Sequence, residues 1–333
     1  MAKIRPSGPD GPVWPRAVVT GGAGFLGSHL CRRLLAAGTQ VVCVDNFLTS
    51  SPGRLENLRA EPGFTFRQAD VASGLDVDGD VDLVVHLASP ASPPDYHRHP
   101  LATLEVGSSG TRNALELAAR TGARFVLTST SEVYGDPKVS PQSENYYGNV
   151  NPVGPRSVYD EAKRFAEALT AAHQRAGTVD AAIVRIFNTY GPGMRPDDGR
   201  IVPTFACQAL RGEPLTVTGD GRQTRSLCHV DDTVRGILAV AASDLSEPVN
   251  IGNPDEATVL QIAQRIIALA GSPSGIEHIP FPEDDPMTRC PDITRARREL
   301  GWEPVIGWQE GLSGALAWFA AQLGLAPGAE VRV

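Results

Sequence analysis

Residues 16–45 read RAVVTGGAGFLGSHLCRRLLAAGTQVVCVD, and this stretch restricts the fold more than any other. A short apolar strand runs into Gly21, Gly24 and Gly27, spaced G-x-x-G-x-x-G. A helix with Phe25, Leu26, Leu30, Leu34 and Leu35 at core spacing follows at once. The first two glycines permit a tight turn and close backbone approach, and the third lets the helix pack on the strand. The N–H groups at the helix start then favour an anion such as a pyrophosphate. Asp45 ends the next strand, where a carboxylate suits a ribose 2′-hydroxyl and repels a 2′-phosphate, so the pattern asks for NAD over NADP. The competing reading, a glycine turn with an incidental Asp, has to ignore the strand–loop–helix–strand context.

The rest of the chain extends that unit. Apolar strand-like runs at 17–20, 40–45, 64–67, 82–88, 124–130 and 181–188 alternate with helical segments at 25–37, 101–120 and 157–177. Strands this apolar, separated by helices, predict an α/β fold: a Rossmann-type doubly wound parallel sheet covered on both faces. The final third has more Pro and Gly breaks, with helices near 201–211, 258–270 and 309–322 and short strands such as PLTVT and EPVNIG. The reading divides the chain into an NAD-binding domain, 16–192 plus about 231–253, and a smaller C-terminal α/β substrate-binding lobe, 193–230 plus about 254–325. Residues 1–15 read as a flexible leader. At the strand ends Phe25, Leu26, Asn46, Val71, Leu87 and Ala88 are expected against the cofactor, and Asp70 against its adenine.

Two further stretches carry chemistry. FVLTSTSEVYGD (125–136) ends a buried strand in hydroxyls and one carboxylate, Glu132. A cap or turn accounts for Ser and Thr there equally well. YDEAK (159–163) places Tyr159 and Lys163 on one helix face, about 6 Å apart along the axis. Such a pair is common on surface helices, but downstream of a dinucleotide loop it has a use. The ammonium favours tyrosinate, the phenol acts as base toward a sugar hydroxyl, and Ser129, Thr130 or Ser131 shares the proton. This is alcohol oxidation without a metal, and no metal-ligand cluster is expected.

TGGAGFLGSHL, DNFLTS, HLASPASPPDY, TSTSEVYGDP, YDEAKRFAE, RIFNTYGP, GDGRQTRS, VNIGNP and RCPDITRARRELGWEP together span residues 16–320. In these the chain resembles the extended short-chain dehydrogenase/reductase superfamily and, more narrowly, the UDP-glucuronate decarboxylases that make UDP-xylose. The resemblance implies C4 oxidation of UDP-glucuronate by NAD, loss of CO₂ from the β-keto acid, C5 protonation and return of the hydride. It makes Tyr159 the base and Lys163 its partner, with Thr130, Ser131 and Glu132 around the reacting sugar. Related sugar 4,6-dehydratases carry Asp-Glu where this chain has Ser131-Glu132, and dehydration needs that second carboxylate while decarboxylation does not. Arg289 is expected to reach the C5/C6 end from the small lobe. Asn188, Arg200 and Arg225 are expected at the diphosphate, the strand 215–218 at the uracil, and Tyr96 at the sugar, unless it only packs its loop. A homodimer through helices 101–120 and 157–177 is implied as well. The chain departs from the family at Gly107, where an asparagine is usual.

Composition narrows the setting. Five scattered cysteines with no CxxC pair argue for a reducing, cytoplasmic compartment. A net charge of −8 disfavours nucleic acid, and no apolar run reaches the roughly 18 residues a membrane span needs. The rival readings are a UDP-glucuronate 4-epimerase, a decarboxylase that releases its 4-keto pentose, and a catalytically dead NAD-binding sensor or scaffold.

Overall fold

Strands β1 (Arg16–Thr20), β2 (Gln40–Asp45), β3 (Phe64–Gln68) and β4 (Leu83–His86) lie in one sheet with β5 (Arg124–Thr130), β6 (Ala181–Ile186) and β7 (Val249–Ile251). The computed structural model that shows this describes residues 14–281 and 285–325, with two short strands at Ser7–Gly8 and Gly11–Pro12. The spatial order is β3-β2-β1-β4-β5-β6-β7, and every neighbouring pair is parallel. The order reverses between β1 and β4, which opens a crevice at their carboxyl ends.

Side chains alternate between the two faces, as a strand requires. Val19, Cys43, Val85 and Val126 meet Leu30 and Leu34 of helix Phe25–Ala36 and Ile237 of helix Val230–Ala242 on one face. Val18, Val42, Val84 and Phe125 meet Leu115 and Ala118 of helix Thr111–Thr121 and Ala166 of helix Ser157–Arg175 on the other. With both faces covered, all seven residues of β5 are buried. The lobe has its own core, in which Phe205, Leu215, Ile262, Ile266, Leu316 and Phe319 pack between helices Ile201–Arg211, Val259–Ala270 and Trp308–Gln322.

Three features differ from the sequence reading. Trp14, placed in the leader, is 6% exposed and joins the sheet core. Residues 7–8 and 11–12 form an antiparallel pair, and 1–6, 9–10 and 13 of the leader lie outside the described residues. Ile293, Ala296 and Trp302, assigned to the lobe, also pack in the sheet core. Their periodicity cannot say which core they join, because both are apolar. The helix expected over 101–120 is built from Pro100–Glu105, a π turn at Val106–Gly110, and Thr111–Thr121.

Asp232 fixes the 302–306 segment. Its Oδ2 accepts the N–H groups of Val305 (3.0 Å) and Ile306 (2.9 Å), while the Trp302 indole donates to its backbone carbonyl at 3.2 Å. Replacing Asp232 by Ala strands two backbone donors and should cost ~2–4 kcal/mol. The denaturation midpoint in urea checks this, with Asp232→Asn expected to lose less because it keeps an acceptor oxygen.

Candidate active site

The crevice is a cleft of about 550 Å³, within the range of small-molecule sites. Every residue that the sequence reading assigned to cofactor, sugar or chemistry lines it. On the cofactor side the backbone is packed as tightly as the glycines allow. A Cβ on Gly21 would sit 2.7 Å from the Ala88 nitrogen, and one on Gly27 would run into the Gly21 carbonyl. Helix Phe25–Ala36 starts at Gly24 with no side-chain cap, so its first N–H groups are left for an anion. The Asp45 carboxylate ties the loop down. Its Oδ2 accepts from Ala23 N–H (3.0 Å), and its Oδ1 from Phe47 N–H (2.8 Å) and the Ser50 hydroxyl (2.9 Å). Oδ2 keeps a lone pair for a ribose hydroxyl. Asn46 donates to Asp70 Oδ2 at 3.2 Å, holding the two strand ends together. These residues fit a dinucleotide.

On the reacting side, Thr130 ends β5 and accepts from the Glu132 N–H at 3.2 Å, capping the turn Ser131–Tyr134. The cap reading of these hydroxyls therefore holds alongside a chemical one. Thr130 lowers the pKa of the Tyr159 phenol, whereas Ser129 is committed to Glu167 at 2.6 Å. Tyr159 is buried and stacks on Tyr96, ring centroids 5.4 Å apart and 9° from parallel. Burial, then the Glu132 charge, push its phenol well above the usual tyrosine range, with Thr130 pulling the other way. Lys163 donates to the Thr128 carbonyl at 2.9 Å, and burial lowers its pKa to about 8. Its Nζ lies 5.9 Å from the Tyr159 ring centroid.

Glu132 is the centre of a charge network. Arg289 meets it through both guanidinium nitrogens, Nη1 to Oε1 at 2.5 Å and Nη2 to Oε2 at 2.8 Å, and Arg156 Nη2 donates to Oε2 at 2.7 Å. Burial opposes the charge on Glu132, but Arg289 and Arg156 outweigh it and hold the carboxyl at about 2. The segment carrying Arg289 is held by Gln142, an isolated bridge partner of Pro291. The Gln142 N–H donates to the Cys290 carbonyl, and its side-chain oxygen accepts the Cys290 N–H, both at 2.8 Å. Arg289 also donates to Asn188 at 3.3 Å. The sequence reading missed Arg156, Asp160 and Asp285. Asp285 pairs with Arg225 (2.7 Å) and Arg156 (3.3 Å), and burial, then Glu132, raise Asp160 to about 8. Arg156 sits three residues before Tyr159, and the one signal for it was that a buried Glu132 needs cations. Arg200, expected at the diphosphate, is paired with Asp198 at 2.5 and 2.7 Å.

Gly107 has a packing reason. A Cβ there would lie 2.7 Å from the Ala162 Cβ and 2.8 Å from its carbonyl, on the helix that carries Tyr159 and Lys163. Gly107→Ala should therefore destabilise the protein by ~1–3 kcal/mol. Adding Ala162→Gly should recover part of the loss, since the carbonyl remains in the way. A double-mutant cycle by urea denaturation measures this coupling.

Comparison with known proteins places the chain in a family. Residues 17–252 match the model of the NAD dependent epimerase/dehydratase family. UDP-glucuronic acid decarboxylase 1 of Danio rerio is 48% identical over 308 residues, covering 92% of this chain and 73% of that protein. UDP-glucuronic acid decarboxylase 2 of Arabidopsis thaliana is 51% identical over 300 residues, 89% of this chain and 66% of its own length. Among solved structures, UDP-glucuronic acid 4-epimerase from Bacillus cereus, in complex with UDP-glucuronic acid and NAD, superposes with a TM-score of 0.82. It is 29% identical and covers 92% of this chain and 99% of that one. With relatives this similar over nine-tenths of its length, the chain belongs to the NAD dependent epimerase/dehydratase family, among its UDP-glucuronic acid decarboxylases.

Proposed function

We propose that this protein is a carboxy-lyase that converts UDP-glucuronate to UDP-xylose and CO₂. The observation that carries the reading is the Glu132–Arg289–Arg156 network at the end of β5, beside Tyr159 and Lys163. A carboxyl held at about 2 cannot act as the proton donor that dehydration needs at neutral pH. It orients guanidinium groups instead. Arg156, Arg225 and Arg289 face Glu132 and Asp285, three cations against two anions, so the group suits an anionic substrate. UDP-glucuronate brings both a carboxylate and a diphosphate.

NAD, held by the Gly21–Gly27 loop and Asp45, would supply a reversible hydride acceptor for C4 and would be unchanged overall. Tyr159 takes the C4 hydroxyl proton, steadied by Thr130, and Lys163 supplies positive charge behind it. The resulting ketone lies β to the C6 carboxylate, which Arg289 docks. The C5–C6 bond electrons move toward the ketone, CO₂ leaves, and C5 takes a proton. Ser131 borders the sugar without adding a second acid, and Tyr96 provides a flat wall against Tyr159. Asn188, Arg225 and Arg200 face the diphosphate, for which Arg225 and Arg200 exchange their present carboxylate partners.

The enzyme acts as a homodimer. Leu101 (72% exposed), Leu104 (40%) and Phe165 (47%) lie on helices Pro100–Glu105 and Ser157–Arg175, an apolar face for a second copy. A monomeric mass at working concentration would count against it. All five cysteines are free and buried, which supports a reducing, cytoplasmic setting. Among the described residues, no helix is long and apolar enough to cross a membrane.

Proton NMR of the enzyme with UDP-glucuronate and NAD in D₂O tests the reaction. The expected product is UDP-xylose carrying deuterium at C5. UDP-galacturonate would make the protein an epimerase, and accumulating 4-keto pentose a keto-releasing decarboxylase. Tyr159→Phe should lower kcat by about 10²–10⁴, with NAD still bound. Glu132→Gln should lower kcat by about 10² through a misplaced Arg289, with a much smaller change in KM.

A further inference from the structure

Segment 192–200, which follows β6 into the lobe, crosses the cofactor side of the cleft and is fastened at each wall. Arg195 Nη2 donates to both oxygens of Asp95, 3.1 Å to each, and Nη1 donates to the Thr49 carbonyl in the loop after Asp45. Arg54, from the same loop, donates to the Gly193 carbonyl. The His29 ring, on the second turn of the phosphate-loop helix, contacts the Pro192 carbonyl at 2.9 Å. On the lobe side, the Trp318 indole donates to the Met194 carbonyl at 2.9 Å. Asp95, Arg195, Arg54, Thr49 and Met194 all line the cleft.

The strap therefore joins the three elements that surround the uncapped helix start: the helix itself, the loop after β2 and the segment after β4. Asp95 is buried, so its pairing with Arg195 is shielded from solvent and worth more than a surface contact. Beneath it, Arg54 has no carboxylate within ion-pair distance among the described residues. Burial, then the neighbouring Arg195, lower its pKa, with Asp198 and Asp197 opposing. A guanidinium in that condition, lining the same cleft as the uncapped helix start and bonded to Gly193, which packs near Phe25, calls for an anion from outside the chain.

We infer that Arg195 and Asp95 are positioning residues that lock segment 192–200 across the dinucleotide's diphosphate and keep the cofactor on the enzyme between its two hydride steps. The inference rests on the NAD-dependent reading above and adds how retention is achieved. For the cofactor to leave, the Arg195–Asp95 and Arg195–Thr49 contacts must open.

The test is exchange of bound NAD against isotopically labelled NAD, followed in the purified full chain with no nucleotide sugar present. Asp95→Asn and Arg195→Ala should each speed release by about tenfold or more, the equivalent of one charged hydrogen bond. The charge-swapped double variant Asp95→Arg/Arg195→Asp should recover part of the slow release. Release from Asp95→Asn at the unaltered protein's rate would overturn the strap, and that conservative variant decides the matter if Arg195→Ala fails to fold. Absence of NAD binding in the unaltered protein would overturn the cofactor reading and the strap together. Failure of the decarboxylase reading would show separately, in the sugar products.

Discussion

Glu132 leaves the sheet on the turn after β5 and meets Arg289, 157 residues further along the chain, in a buried two-pronged ion pair. A lone carboxylate there would pay a large desolvation penalty. Two guanidinium groups reverse the sign and hold it charged. The pair also joins the sheet end to the segment that runs on into Ile293–Trp302 of the sheet core, so one wall of the cleft and its electrostatics are set by one contact. The Gln142–Cys290 backbone clamp makes that contact rigid, since neither partner of the ion pair has to find the other from a mobile loop.

The rest of the cleft divides by the kind of interaction that builds it. The cofactor half is made mostly of backbone: glycines packed against carbonyls, an uncapped helix start, and Asp45 holding the loop through N–H donors. The other half, proposed to take the sugar, is made of side-chain charge, in which Arg156, Arg225 and Arg289 are partly neutralised by Glu132 and Asp285. Backbone sites suit a resident ligand, because they need no rearrangement to receive it. Ion-paired arginines suit a ligand that comes and goes, because the carboxylates keep them satisfied in its absence. Between the halves stand Tyr159 and Lys163, both buried, and burial weakens the charged form of each.

How much was legible follows the same division. The phosphate loop, the parallel sheet and the Tyr159–Lys163 face were readable because each is a local pattern over a few turns of chain. Arg156 was not, since nothing near it in sequence marks a guanidinium as active rather than solvated; its meaning comes from Glu132, 24 residues earlier. Arg200 was expected at the diphosphate, and its pairing through two nitrogens with Asp198, two residues away, could not be read from the sequence. Trp14 and the 293–302 segment were placed by chain position, and the apolar surface they found lay on the sheet. Gly107 read as a loss, and the structure gives it a reason in the approach of Ala162.

The sequence by itself determined the fold class and the cofactor end, because glycine spacing, strand apolarity and helix periodicity act through backbone sterics over short range. Tertiary structure alone decided which arginines pair with which carboxylates, which of the three hydroxyls around the end of β5 acts on the phenol, and where segment 192–200 comes to rest. Those outcomes depend on groups tens to hundreds of residues apart arriving within a few ångströms of each other. The strength of each contact then depends on how much water the surrounding fold excludes, and no local pattern encodes that.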